Sequence, residues 1–188
     1  FARAVEVPLR ALGMEKARFA VRVEPCDPGP RGADRVEFLL SPNPGEELKP
    51  LARIASGGEL SRVLLAVKAV MIEADPVETY IFDEVDSGIG GGTAEVVGRM
   101  LREVSRKTQV AVITHLPQIA AFADAHLAVR KEAASGRTVT RISPVDGGEE
   151  RSREIVRLLG GKPTRAALLH AREMLQRAGA LAGASRRA

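Results

Sequence analysis

Residues 51–62, Leu-Ala-Arg-Ile-Ala-Ser-Gly-Gly-Glu-Leu-Ser-Arg, and residues 79–84, Thr-Tyr-Ile-Phe-Asp-Glu, decide how this chain reads. The first stretch puts a Ser-Gly-Gly turn directly ahead of an apolar helical run that extends to about Ala74. Free backbone N–H groups at the start of a helix, reinforced by the positive end of its dipole, form a ready seat for a phosphate. The second is a short apolar run without polar alternation, which predicts a parallel strand buried on both faces. It delivers Asp83 and Glu84 side by side at its C-terminal end, where open α/β sheets bind their ligands. A seat for phosphate and a carboxylate pair for metal and water are two halves of triphosphate chemistry.

Each half alone has an ordinary account. Ser56 or Gly57 can simply cap the helix, with Glu59 in its first turn, and an acidic pair at a strand end can simply meet solvent. Their position in one helix–strand unit makes each support the other. Asp83 would then hold Mg²⁺ through water, and Glu84 would polarise the attacking water. His115 ends the next apolar strand, Gln109 to Thr114, and its place at the same rim favours contact with a terminal phosphate. His126 and His170 read as structural.

Two lookalikes fail on single residues. Gly88 to Thr93 resembles a dinucleotide fingerprint, but Thr93 replaces its last glycine and the acidic pair would repel a pyrophosphate. That disfavours a nicotinamide-dependent oxidoreductase. Gly160-Gly161-Lys162-Pro163-Thr164 is not a P-loop, because Pro163 stands where Ser or Thr must be and Val156 where the first Gly must be. No other stretch supplies one, so the cradle for the β/γ-phosphates is missing from this sequence.

Around these motifs, residues 1–16 read as a helical stretch interrupted at Pro8. Ala17 to Glu24 alternates as a strand, Pro25 to Gly32 is too rich in Pro and Gly for anything but a loop, and Arg35 to Leu40 pairs back as a hairpin. In the helix after Gly58, Ser61, Arg62 and Lys68 share a narrow polar stripe, and Arg62, Arg99 and Arg102 read as solvent-facing. Helices are predicted over residues 93–106, 116–122, 149–159 and 165–178, the last capped by Thr164. Strands are predicted over Leu127 to Lys131 and Arg137 to Ser143, around an Ala133-Ala134-Ser135-Gly136 turn, and residues 179–188 read as a frayed basic tail. Strands alternating with helices in the middle of the chain predict an α/β layer.

Composition narrows the classes. At 188 residues, 45% hydrophobic and 28% charged, the chain can bury a substantial core. Aromatic residues make up only 3%, which argues against base-stacking recognition of single strands. A net charge of +4 permits nucleic-acid contact without requiring it. The single Cys26 fits a reducing cytoplasm, and no apolar run approaches the ~20 residues of a membrane span. A start at Phe1 rather than Met reads as part of a longer chain.

With these residues in place, the chain resembles the C-terminal lobe of an ABC-type ATPase head of the SMC-like group. Ala55 to Glu59 is similar to the ABC signature motif, Tyr80 to Glu84 to Walker B, Asp86-Ser87-Gly88 to the D-loop, and Thr114-His115 to the switch histidine. The fuller wording, with Asn43-Pro44-Gly45-Glu46 and Leu158-Leu159-Gly160-Gly161, resembles the bacterial RecN-type DNA repair proteins from about Ala17 to Ala178. The resemblance implies a mostly parallel sheet flanked by helices, a small N-terminal hairpin, and residues 1–16 as the end of a coiled-coil arm. It further implies Asp83 as support for Mg²⁺, Glu84 as catalytic base and His115 at the γ-phosphate. Ser56, Gly57, Gly58 and Glu59 would bind the ATP of a second head, with Asp86 and Ser87 near the nucleotide. Implied partners are an N-terminal lobe carrying Walker A, a second copy of the head and double-stranded DNA ends, at the nucleoid of the bacterial cytoplasm, with no membrane. The sequence departs from common ABC wording at Ala55, Glu59 and Gly90. The implied activity is ATP hydrolysis by the assembled protein, in double-strand-break repair and recombination, with the isolated lobe inactive. A non-catalytic DNA-binding or scaffold module is the alternative.

Overall fold

A computed structural model describes residues 1–30, 32–134 and 137–184. The chain divides into two compact units, residues 1–113 and 114–188.

The first unit opens with α1 (Ala2–Ala11), which runs through Pro8 where the sequence predicts a break. Losing one helical hydrogen bond to a proline costs about 3 kcal/mol. Val5 and Leu9, one turn apart and both at 0% exposure, offset that by burial worth about 1.5–3 kcal/mol each. The helix packs on β1 and α2, and the Phe19 N–H donates to Glu6 Oε1 at 3.1 Å.

Strands β1 (Arg18–Gly29), β2 (Gly32–Ser41) and β3 (Lys49–Pro50) form an antiparallel sheet in that order. Phe1, Phe19 and Phe38 cluster at its base with ring centroids 5.6–6.2 Å apart. The predicted loop at Pro25 is in fact strand: Pro25 pairs with Asp34, and the register shifts between Pro25 and Gly29. β1 is an edge strand, so prolines there forfeit no ladder bond on the open side.

Helix α2 (Gly57–Met71) sends Val63, Leu65, Ala66 and Val67 into the core. β4 (Thr79–Phe82) and β5 (Gln109–Val112) form the one parallel pair among the described residues, with α3 (Gly91–Val104) as the crossover between them. The α/β class stands, with a parallel sheet of two strands and most strand residues in hairpins. Burial on both faces does not hold. Tyr80 and Phe82 are buried, whereas Ile81 is 72% and Ile113 61% exposed, because this unit supplies apolar cover to one face only.

The second unit comprises α4 (Pro117–Ala120), the hairpin β6 (Leu127–Ala134) and β7 (Arg137–Pro144), α5 (Gly148–Leu158) and α6 (Arg165–Ala184). Phe122, Ile155, Val156 and Ala171 centre its core. Thr164 caps α6 as expected, its Oγ1 accepting from the Ala167 N–H at 3.2 Å. Residues 179–184 continue α6 instead of fraying, since the run Gly179-Ala180-Leu181-Ala182-Gly183-Ala184 is mostly good helix formers. Residues 185–188 of the predicted tail, and Ser135 and Gly136 of the predicted turn, lie outside the described residues. No helix among the described residues is long and apolar enough to cross a membrane.

Candidate functional site

The first unit brings the Ser-Gly-Gly turn and the acidic pair together. Ser56 is the N-cap of α2, with extended backbone and an Oγ that accepts from the Glu59 N–H at 3.3 Å. Gly57 is exposed and Gly58 buried. Beyond β4, Asp83 and Glu84 are exposed, then Val85 returns to 0% exposure and anchors the following turn. Ser87 donates its N–H to the Glu84 carbonyl at 2.9 Å, closing that turn.

Glu84 has φ 57°, the only non-glycine residue at positive φ among those described. The left-handed region costs a residue with a Cβ about 1 kcal/mol or more, and such strain persists where the surroundings impose it. Here the surroundings are visible. The Glu84 N–H donates to Asp83 Oδ1 at 2.9 Å. Ser61 Oγ donates to the Asp83 carbonyl at 2.7 Å, and Arg62 Nη1 to the Ser87 carbonyl at 2.7 Å. A Cβ on Gly58 would lie 2.7 Å from Ser87 Cβ and 3.2 Å from the Glu84 carbonyl, and one on Gly57 would run into the Glu84 carboxylate. Gly58 is therefore required by the close approach of the 83–87 turn, whereas at Gly57 only the movable Glu84 carboxylate stands in the way.

Arg62 departs from expectation. Its 7% exposure places it in the interior, not on a solvent stripe. Burial pushes the guanidinium's pKa down while neighbouring Glu59 pushes it up, and its Nε has no hydrogen-bond partner. One signal in the sequence could have found it. Gly58, Arg62, Leu65 and Ala66 fall at i, i+4, i+7 and i+8, the spacing of one buried face.

The donor set suits a magnesium nucleotide. Mg²⁺ takes one or two carboxylates together with waters and phosphate oxygens, not an all-protein cage. Among the described residues no group of three metal-ligating side chains exists. Asp83 is exposed, with one oxygen engaged by the Glu84 N–H. The exposed Gly57 turn, at the N-terminus of a 15-residue helix, suits an anion. Asp86, by contrast, is only 5% exposed, so its carboxylate is held inside the unit while Ser87 is exposed. His115 is an exposed residue of the second unit.

No family model matches the chain. Curated relatives do. The chain is 47% identical to the DNA repair protein RecN of Streptomyces coelicolor over 95% of its own length and 33% of that protein's. It is 50% identical to RecN of Treponema pallidum over 96% of this chain and 32% of the relative. For RecN of Bacillus subtilis the values are 41%, 90% and 32%. The chain thus spans about a third of the length of the curated relatives it matches. Among solved structures, the Smc head domain from Pyrococcus yayanosii superposes with a TM-score of 0.55 at 24% identity, covering 77% of this chain and 26% of that one. A chain described in work on ATP-driven dimerization and DNA-stimulated activation of SMC ATPases gives a TM-score of 0.51 at 21% identity, covering 87% and 92%. The chain is similar in sequence to the C-terminal part of RecN proteins and shares the fold of SMC heads.

Proposed function

We propose that this chain is the C-terminal lobe of a head that hydrolyses ATP by pairing with a second head, and that the whole protein acts in DNA break repair by binding and joining ends. Residues 1–16 would continue into a coiled-coil arm, and a separate N-terminal lobe would bring Walker A. When bound, the magnesium nucleotide supplies the electrophilic phosphorus and its leaving group. Asp83 would hold the metal side through water. The Glu84 carboxylate would orient and deprotonate the attacking water, and the His115 ring would hydrogen-bond the terminal phosphate. Ser56, Gly57, Gly58 and Glu59 would present backbone and side-chain groups to the nucleotide of the second head, with Ser87 alongside and Asp86 bracing the turn from within. A bacterial cytoplasmic setting follows from the same reading.

The observation that carries this proposal is Glu84. An exposed carboxylate on a strained backbone, set against the glycines of a helix N-terminus, is poorly explained as mere solubility. DNA contact draws support from charge. Residues 114–188 hold 13 basic and 7 acidic side chains and residues 1–113 hold 15 and 17, so the second unit carries +6 and the first −2. There Arg130, Arg153 and Arg157 line an open groove of about 500 Å³ together with Glu150 and Glu154. With Arg130 and Arg157 already paired to Glu154, the support for phosphate-backbone contact is the unit's net charge, not this groove. That charge alone also suits the non-catalytic DNA-binding reading.

Glu84→Gln in the full-length protein separates the two. Losing a general base costs about 10²–10⁴-fold in turnover, and ATP-dependent dimers should persist in gel filtration. Unchanged turnover would favour the scaffold, and the isolated chain should show none.

A further inference from the structure

The first two turns of α2 meet the 83–87 turn at four points. Ser61 Oγ donates to the Asp83 carbonyl and Arg62 Nη1 to the Ser87 carbonyl, each at 2.7 Å. Between them Gly58 lies against Ser87 and the Glu84 carbonyl, and Gly57 under the Glu84 carboxylate. The two donors grip the first and last residues of the turn that contains the left-handed Glu84. Stability alone is a poor explanation for Arg62. A buried guanidinium with an unpartnered Nε and the Ser87 carbonyl as its acceptor is costlier than an apolar side chain of similar length. Such local compromises concentrate where geometry serves a site.

We propose that Ser61 and Arg62 are positioning residues that clamp the 83–87 turn to the start of α2, so that the Ser-Gly-Gly turn and Glu84 move as one body. The clamp rests on the ATPase reading for its consequence. An anion seated on residues 56–58 shifts the N-terminus of α2, and two hydrogen bonds to backbone carbonyls carry that shift to Glu84. Engagement of the second head's nucleotide thereby sets the base of this one. Neither residue needs to touch a nucleotide.

The test uses the full-length protein carrying Ser61→Ala, Ser61→Thr and Arg62→Ala, with two readouts. Hydrogen exchange reads the clamp directly. Exchange across residues 83–89 should rise about tenfold in Ser61→Ala, the size of effect one hydrogen bond supports, and Ser61→Thr, which keeps the hydroxyl, should restore protection. Steady-state turnover reads the consequence. Ser61→Ala should lower kcat about tenfold with KM within about twofold, the pattern of an interaction felt only in the transition state. Unchanged exchange in both Ser61→Ala and Arg62→Ala overturns the clamp. So does raised exchange with wild-type kcat, which leaves a purely structural role. If wild-type protein shows no turnover, or Glu84→Gln keeps it, the ATPase reading falls while the exchange result still decides the clamp. Should Arg62→Ala fail to fold, Ser61→Ala, which removes one hydroxyl at a partly exposed site, decides alone.

Discussion

In the second unit the Glu154 carboxylate, 3% exposed, receives Arg157 Nε at 2.9 and 3.0 Å, Arg157 Nη2 at 2.6 Å and Arg130 Nη2 at 3.4 Å. In the first unit the buried Arg62 donates to a single backbone carbonyl and leaves its Nε unpaired, while Asp83 and Glu84 stand in solvent with no ion pair among the described residues. The Arg157 guanidinium holds the Glu154 carboxyl below the usual glutamate range, which is how a buried charge behaves once fully paired. The contrast separates two uses of charge. Around Glu154 the partners are complete and the arrangement maintains the fold. Around Glu84 the satisfaction of Arg62 is incomplete, the backbone is strained, and the turn is held by Ser61 and Arg62.

Removing a carboxylate from each region tests that division. Glu154→Ala removes the buried member of the pair and leaves Arg157, half exposed, to face solvent, so the loss is that of charge-assisted hydrogen bonds, about 1.5–3 kcal/mol. Chemical denaturation should show that loss, with Glu84→Gln within about 0.5 kcal/mol of wild type, as for ordinary surface changes. Equal losses would erase the distinction.

The neighbouring glycines sharpen it at smaller scale. Gly58→Ala drives a Cβ against Ser87 Cβ at 2.7 Å and the Ser87 carbonyl at 3.0 Å, where backbone must yield, so a loss of about 1–3 kcal/mol is expected. Gly57→Ala meets only the Glu84 carboxylate, the far end of a flexible side chain. Its stability should barely change, and turnover of the assembled protein should still fall as the carboxylate is pushed aside. A Gly57→Ala protein with full turnover would show that Glu84 need not rest there.

A third effect is confined to acid. Asp75 pairs with Lys68 at the end of α2 and accepts from the Val77 N–H at 3.1 Å. Lys68 is the main reason its carboxyl is pulled down to about 2, below the ~3.9 of an unfolded aspartate. The folded state therefore binds this proton less readily than the unfolded one. The contribution is fully present above about pH 4 and lost as pH falls toward 2. Asp75→Asn should flatten stability across that window and leave the curve above pH 5 unchanged in slope.

How much of this was legible in the sequence depends on the range of the forces involved. The Ser56 cap, the Thr164 cap and the apolar strand ending in Asp83-Glu84 follow from neighbours within a few residues, and the structure keeps them. The burial of Arg62 could be read from the face it shares with Gly58, Leu65 and Ala66, but its acceptor could not, because that carbonyl lies 25 residues away on another element. The strand through Pro25 depended on which edge of the sheet it occupies, which local composition does not specify. The apolar run at Ile81 correctly predicted a parallel strand, but its cover on the second face is not contributed by these residues. The positive φ at Glu84 was invisible for a related reason: nothing about a glutamate suggests it, and only the bonds at Asp83 and Ser87 impose it.

That strain yields the smallest prediction and the most direct reading of the site. Asn adopts the left-handed region far more readily than Glu, so Glu84→Asn should relieve part of the cost at φ 57°. A gain of about 0.5–1 kcal/mol is expected, within the usual range for such relief. If Glu84 were an incidental surface residue, the gain would come with no functional penalty. If it is the base, stability and turnover must move in opposite directions, because the shorter amide neither reaches as far nor accepts a proton. Calorimetry and a turnover assay on the same preparation decide this. A variant that gains neither stability nor loses activity would mean that the backbone at residue 84 is not strained and its carboxylate is not used.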